Sequence, residues 1–219
     1  ATGRSEPRLI VSYPGDLSTA ETTPLATSST WVKSRSWVPS PFNFEEQALI
    51  GIPTDLPWGN DEGAGSEDAT VGVLEAFARI TDGGLFVLFT SYSSLRKVAE
   101  GIRARGIEKS WPIFVQGEED RHRLLDRFIA SGRGILLGTS SFWEGVDVPG
   151  DPLRGLLIHK LPFRVPTEPI TAARMEAVER QGRDPFTHFM LPHAALRLKQ
   201  GFGRLIRSRT DRGAVLILD

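Results

Sequence analysis

Two arginines and a glutamine near the C-terminal end of the chain have the types and the spacing of an anion-binding site. Gln200, Arg204 and Arg207 are four and three residues apart, and a helix that turns about 100° per residue would place them within about 60° of one another. Apolar residues of the same stretch would lie on the opposite side: Leu198, Phe202, Leu205 and Ile206. Two guanidiniums on one rigid face match the oxygens of a phosphate group. The alternative is a basic exposed face that forms surface ion pairs.

Hydroxyl side chains follow two short apolar runs of the sequence. Ser91 lies in the cluster TSYSS after residues 84–89, and Thr139 and Ser140 lie in the cluster GTSS that closes the run starting at residue 134. Hydroxyls and unpaired N–H groups at a helix start bind phosphate oxygens, because the helix dipole also favours negative charge there. Serine and threonine also cap helices routinely. Capping and phosphate binding therefore both stay open for these residues.

An acidic segment bracketed by glycines, WEGVDVPG, follows the second hydroxyl cluster. Its carboxylates, Glu144 and Asp147, are three residues apart, and Gly145, Pro149 and Gly150 indicate a shaped loop and not a solvated helix face. A carboxylate in such a loop can accept hydrogen bonds from a ribose hydroxyl or orient an arginine. An acidic turn without a ligand is the alternative.

Short apolar runs alternate with amphipathic stretches from about residue 69 onward. The runs that predict strands are 84–89, 112–115, 134–138, 155–159 and 214–218. Helical spacing appears in Val73, Leu74, Phe77 and Ile80, and again near residues 95–102, 124–129, 168–180 and 186–207. This alternation is typical of a parallel sheet covered by helices on both faces. We predict an open α/β domain, in which ligands bind beyond the carboxyl ends of the strands.

Composition excludes several classes of site. The 219 residues include 26 Lys and Arg against 27 Asp and Glu, so any nucleic-acid site must be local and not a property of the whole surface. Cysteine is absent, which excludes disulfides, thiolate zinc sites and a cysteine nucleophile. No apolar run approaches the roughly 20 residues that span a bilayer, and no signal-peptide pattern opens the chain. We expect a soluble, cytoplasmic protein that does not bind membranes, and the histidines show no metal-ligand spacing.

A nucleoside-triphosphate cradle is missing from the sequence. There is no G-x-x-x-x-G-K-[ST] segment, and no Asp-Glu pair closes a strand to hold magnesium. The chain therefore cannot by itself supply the usual cradle for a nucleoside triphosphate.

The motifs resemble those of the second motor domain of superfamily 2 DNA helicases of the DinG/XPD type, with the DinG branch the closer. VLFTSYSSL (residues 87–95) is similar to helicase motif IV, GTSSFWEGVDVPG (138–150) to motif V, and QGFGRLIR (200–207) to motif VI. PSPFNFEEQAL (39–49), followed by PTDLP (53–57), is similar to the entry into that domain. The resemblance covers about residues 38–219, and residues 1–37 stay unassigned as a candidate remnant of the first motor domain.

The resemblance implies a three-layer RecA-like domain of the P-loop NTPase type that lacks its own Walker A loop. ATP and Mg²⁺ would lie between two motor domains, held mainly by the first, and single-stranded DNA would cross both. Arg204 and Arg207 would be arginine fingers, with Gln200 beside them. The motif V residues Glu144, Gly145 and Asp147 would approach the nucleotide. Contacts to DNA phosphates would come from Ser91, Thr139 and Ser140.

The resemblance also predicts what this piece does without its partner. We expect the chain to be the C-terminal part of a larger helicase that hydrolyses no ATP by itself. A stand-alone nucleic-acid-binding or regulatory module with this fold is the first alternative. An α/β enzyme acting on a small phosphorylated substrate, with Arg204 and Arg207 as its anion clamp, is the second.

Overall fold

The apolar runs of the sequence form one sheet. A computed structural model describes residues 42–53, 64–139, 142 and 152–219. Six strands in these ranges are β1 (Ala48–Gly51), β2 (Leu85–Phe89), β3 (Ile113–Val115), β4 (Ile135–Thr139), β5 (Gly155–Ile158) and β6 (Gly213–Ile217). Their order across the sheet is β1-β6-β5-β2-β4-β3, and every neighbouring pair is parallel. The prediction of a parallel α/β sheet is confirmed.

Helices lie on both faces of this sheet. They are α1 (Phe44–Gln47), α2 (Ala64–Thr81), α3 (Tyr92–Ala104), α4 (Arg121–Ser131), α5 (Pro169–Glu179) and α6 (Leu191–Leu205), with a 3₁₀ turn at Ile107–Lys109 and a π-helix at Phe186–Met190. Helices α2 and α3 contribute to the core on one face, and α4 and α6 to the core on the other. The sheet is the middle of three layers, as predicted.

The central strands are apolar on both faces because helices cover both. Every residue of β2, β4 and β5 is buried. Side chains alternate along a strand, so Leu85 and Val87 join the core beneath α2 and α3, while Phe86 and Leu88 join the core beneath α4 and α6. None of the helices in the described ranges is both long enough and apolar enough to cross a membrane.

Two details of the predicted helices are wrong. Ile80 lies on α2, but its side chain is 82% exposed, because at 100° per residue it falls outside the arc centred on Leu74 and Ala78. The helix predicted over 186–207 starts as a π-helix and ends at Leu205. Ile206 has extended backbone angles, φ −115° and ψ 107°, so Arg207 lies beyond the helix.

Candidate phosphate-binding sites

The structure places the predicted site residues at opposite edges of the sheet. At the edge where the strands end, here called the carboxyl edge, Thr139 closes β4 and Ser91 follows β2. At the edge where the strands begin, the amino edge, Arg204 lies in the last turn of α6 and Arg207 in the connection to β6. The rule that ligands lie at the carboxyl edge does not describe these arginines. The reason is that α6 is a crossover helix, which returns the chain from the end of β5 to the start of β6.

At the carboxyl edge, Ser91 is the cap of helix α3. Its Oγ accepts a hydrogen bond from the backbone N–H of Ser94 at 3.2 Å and donates to the Ser94 hydroxyl at 3.1 Å. The capping interpretation is therefore correct for Ser91. Its side chain is also exposed, so capping leaves the hydroxyl on the surface, where a phosphate group can reach it.

Thr139 is held by a polar network inside the same edge. The backbone N–H and the hydroxyl of Thr139 donate to Oε1 of Gln116, at 2.7 Å and 3.0 Å. The amide nitrogen of Gln116 in turn donates to the hydroxyl of Tyr92. The side chain of Thr139 is buried, with an exposed fraction of 5%. Its direct contact with DNA stays a prediction, and its observed contact is with Gln116.

Phe142, the residue before the acidic segment, is held by Arg121, the first residue of α4. The guanidinium of Arg121 donates to the backbone carbonyl of Phe142 at 2.9 Å and lies 5.0 Å from the centroid of the Phe142 ring. Phe142 also packs edge-on against Phe86, with ring centroids 6.4 Å apart. The candidate site residues Ser140, Glu144, Gly145 and Asp147 lie outside the described residues.

At the amino edge, the end of α6 is packed closely on the start of β6. Leu205 and Ile206 are buried, while Arg204 and Arg207 are half-buried and Gln200 is exposed. A Cβ atom at Gly213 would lie 2.5 Å from Cγ of Leu205, which is closer than packed atoms allow. The glycine therefore lets the helix end approach the strand, and this approach sets the position of Arg204.

Two side chains hold the connection that follows Arg207. The carboxylate of Asp211 accepts hydrogen bonds from the backbone N–H groups of Arg207 and Ser208, both at 2.8 Å, and from the Ser208 hydroxyl at 2.6 Å. From the other side, the buried amide of Gln47 donates to the carbonyls of Ser208 and Asp211 at 2.8 Å and 2.9 Å. Asp211 and Gln47 take backbone groups of residues 207–211 that a longer helix would have to pair within itself. The helix therefore stops before Arg207.

The carboxylate of Asp211 gives this connection a pH dependence. The hydrogen bond from the Ser208 hydroxyl, followed by the backbone N–H groups of Arg207 and Ser208, holds the pKa of Asp211 below its ordinary value. A lowered pKa means that the carboxylate stabilises the fold fully above its unfolded value of about 3.9 and loses this effect as the pH falls through the lowered value. We therefore expect Asp211→Asn to be less stable than the parent chain at pH 7, with the difference vanishing in acid. Urea unfolding of both proteins across pH measures it, and equal stability at pH 7 would contradict the prediction.

Comparison with known families matches residues 74–219 to the family described as Helicase C-terminal domain. The chain belongs to this family. The resemblance drawn from motifs IV, V and VI is confirmed, and the two edges described above are those of a helicase C-terminal domain.

Two curated relatives of the helicase domain are bacterial proteins named as a DNA helicase and an exonuclease. The chain is 42% identical over 182 residues to the ATP-dependent DNA helicase YoaA of Escherichia coli, which covers 83% of this chain and 28% of that protein. It is 37% identical over 186 residues to the 3'-5' exonuclease DinG of Bacillus subtilis, covering 83% of this chain and 20% of that protein. The chain thus spans less than a third of the length of these relatives.

The fold of the helicase domain is also that of solved XPD structures. An XPD helicase structure has a TM-score of 0.62 at 19% identity, covering 78% of this chain and 31% of that one. An XPD structure designated apo has a TM-score of 0.56 at 17% identity, covering 79% of this chain and 35% of that one. At these identities the likeness shows the fold alone, which is the predicted RecA-like one.

Sequence reasoning missed the two positions that organise the edges of the helicase domain. Gln116 directly follows β3, so the rule that selected Thr139 after β4 would also have found it. No local signal marks Gln47, which meets Ser208 across 161 residues of sequence. The described residues contain no group of three or more His, Asp or Glu side chains placed to hold a metal ion.

Proposed function

We propose that this chain is the second motor domain of an ATP-dependent DNA helicase and that it moves single-stranded DNA in steps driven by ATP hydrolysis. ATP and Mg²⁺ would be held mainly by a first motor domain of the same polypeptide. Residues 38–219 would form the C-terminal motor domain. The proposal depends above all on one observation. Arg204, in the last turn of α6, and Arg207, just beyond the helix, both lie at the amino edge of a helicase C-terminal domain whose sequence lacks a Walker A loop.

The amino edge suits an arginine finger because its parts are held in place before ATP binds. Arg204 stands at the end of a helix packed on β6, and Arg207 opens a connection that Gln47 and Asp211 hold from two sides. Charge on the γ-phosphate oxygens is redistributed in the transition state, and a preorganised guanidinium stabilises that charge without reorganising. Gln200 stands one turn earlier on the same helix, where it can orient the phosphate or its attacking water. Glu144, Gly145 and Asp147 would complete this side of the nucleotide site.

The carboxyl edge suits contacts with DNA phosphates. Ser91 presents an exposed hydroxyl, and Ser140 follows Thr139 along the chain. The network from Thr139 through Gln116 to Tyr92 holds three chain segments of this edge in register. We infer that Thr139 contributes to DNA binding mainly by fixing this edge.

Helix α6 provides a mechanical link between the two edges. Its 15 residues span about 22 Å at 1.5 Å per residue. Release of phosphate would free the arginines at one end of α6 and let the motor domains part, which moves the DNA contacts at the other end. Such coupling by rigid elements between two sites is a common form of switching.

The proposal is tested by measuring phosphate release from ATP in two samples. One is the 219-residue chain alone, and the other is the same chain joined to a first motor domain. We expect no hydrolysis by the 219-residue chain alone, and DNA-stimulated hydrolysis when the same chain follows a first motor domain that has a Walker A loop. Hydrolysis of ATP by the chain alone would contradict the proposal. DNA binding without any hydrolysis in the joined polypeptide would favour the stand-alone module, and turnover of a small phosphate ester by the chain alone would favour the small-substrate enzyme.

A further inference from the structure

Gln47 is a buried glutamine whose amide is fully used in hydrogen bonds to the backbone. It is the last residue of α1, and only 7% of its surface is exposed. Its Oε1 accepts a hydrogen bond from the backbone N–H of Asn43 at 3.0 Å. Its Nε2 donates to the carbonyl of Ser208 at 2.8 Å and to that of Asp211 at 2.9 Å. A primary amide carries two donors and an acceptor in one plane, and no apolar side chain of the same size could make these three bonds.

The connection from α6 to β6 needs support of this kind because it lies outside regular structure. Arg207 follows Ile206, whose extended backbone ends the helix, and β6 starts only at Gly213. The backbone N–H of Arg207 donates to the carboxylate of Asp211 at 2.8 Å. Asp211 belongs to the same short connection, so it can hold Arg207 in place only if it is itself held.

Gln47 holds Asp211 from outside the connection. The carboxylate of Asp211 binds N–H groups of the connection, whereas the amide of Gln47 binds its carbonyls, so the two side chains do not compete. Gln47 is anchored in its turn by the sheet, because the next residue, Ala48, begins β1 and pairs with Gly213 of β6. The support of Arg207 thus runs from the sheet through Gln47 to Asp211.

We propose that Gln47 is a positioning residue for Arg207 in ATP hydrolysis. The inference rests on the proposed function, in which Arg207 meets a phosphate held by the first motor domain, and it gives a role to a residue outside motifs IV, V and VI. Gln47 acts on the backbone from which the guanidinium projects and not on the phosphate. A misplacement of about 1 Å can cost about 100-fold in rate. Loss of this support should therefore slow the chemical step and leave the binding of ATP, which the first domain mainly provides, nearly unchanged.

Arg204 is supported in a different way. It lies within the last turn of α6, where the next residue, Leu205, packs closely on Gly213. The hydrogen bonds from the Gln47 amide nitrogen reach only residues that follow the helix. Replacing Gln47 should therefore act through Arg207, and combined substitutions can test this.

ATP hydrolysis in the presence of oligo(dT), by the polypeptide that joins this chain to a first motor domain, tests the proposal. The variant is Gln47→Met, which keeps the length of the side chain and removes both donors. We expect kcat to fall by about 10- to 100-fold with the KM for ATP nearly unchanged. When Arg207→Ala is already present, adding Gln47→Met should lower kcat no further, since residues that act as a unit are not additive. Gln181→Met, the same change at an exposed glutamine, is the matched control and should leave kcat at the parental value.

Gln47→Asn serves as the second variant if circular dichroism shows that Gln47→Met does not fold. It keeps the amide but shortens the side chain by one methylene, and we expect a smaller loss of kcat that again disappears when Arg207→Ala is present. An equal loss of kcat with and without Arg207 would show that Gln47 only stabilises the fold, and would overturn the inference. Parental kcat in a folded Gln47 variant would also overturn it and, if Arg207→Ala lowers kcat, would leave the proposed function intact. Parental kcat in Arg207→Ala would instead contradict the assignment of Arg207 as an arginine finger, and the inference would fail with that part of the proposed function.

Discussion

Replacing Arg204 with alanine should lower DNA-stimulated ATP hydrolysis by about 10³-fold or more in the polypeptide that joins this chain to a first motor domain. The guanidinium acts on charge that is redistributed at the γ-phosphate, so its loss removes stabilisation of the transition state more than of bound ATP. Nucleotide affinity should therefore change far less than the rate of hydrolysis. Because the side chain is half-buried at the end of α6 and not in either core, the variant should fold.

The measurement is single-turnover phosphate release with and without oligo(dT), accompanied by nucleotide binding. Lys199→Ala is the matched control, since it removes an exposed cation of the same helix that lies off the face of Gln200 and Arg204. Arg204→Lys should recover little of the rate, because a lysine ammonium lacks the planar fork of a guanidinium. Parental hydrolysis in Arg204→Ala would exclude the residue as an arginine finger.

Replacing Arg154 with alanine should lower the free energy of unfolding by about 3–5 kcal/mol, because two or three charge-assisted hydrogen bonds at about 1.5–3 kcal/mol each are lost together. Its guanidinium donates to the backbone carbonyls of Thr81 at 2.7 Å, Asp82 at 2.7 Å and Gly132 at 3.1 Å. These carbonyls belong to the ends of α2 and α4, just before β2 and β4 begin. One side chain thus joins two helix ends at the amino edge, immediately before β5.

Urea unfolding followed by circular dichroism measures this loss. Arg133→Ala is a control from the same corner, because Arg133 forms an exposed ion pair with Asp82 at 3.0 Å, and such pairs contribute less than about 1 kcal/mol. Arg154→Lys should be intermediate, since one ammonium cannot replace a fork that spans three carbonyls. A loss in Arg154→Ala no greater than that in Arg133→Ala would show that the three hydrogen bonds add no net stability.

The sequence predicted every strand from β2 to β6, and burial leaves the clearest mark in the composition of the central ones. β2, β4 and β5 are covered on both faces, so each of their positions must be apolar or small. β1 escaped prediction for the opposite reason. It has four residues, and Leu49 and Ile50 are 72% and 55% exposed. It is a strand because its backbone pairs with β6 in the register Ala48 to Gly213, and backbone pairing has no signature in side-chain types.

The end of α6 shows the same limit at a functional position. Helical spacing correctly predicted that Gln200 and Arg204 share a face, but it extended the helix through Arg207. The helix stops because Asp211 and the distant Gln47 take the backbone groups of the following residues. Periodicity measures the preference of a segment, whereas helix ends depend on partners that compete for its hydrogen bonds.

Residue order alone determined the α/β class, the family and the three motifs, because repeating apolar spacing and short motifs are properties of neighbouring residues. Tertiary structure decided at which edge of the sheet Ser91, Thr139 and Arg204 lie, and where α6 ends. Gln47 and Ser208 are 161 residues apart in the sequence and meet only because β1 pairs with β6. Contacts of this kind arise from the path of the folded chain, and no local pattern encodes them.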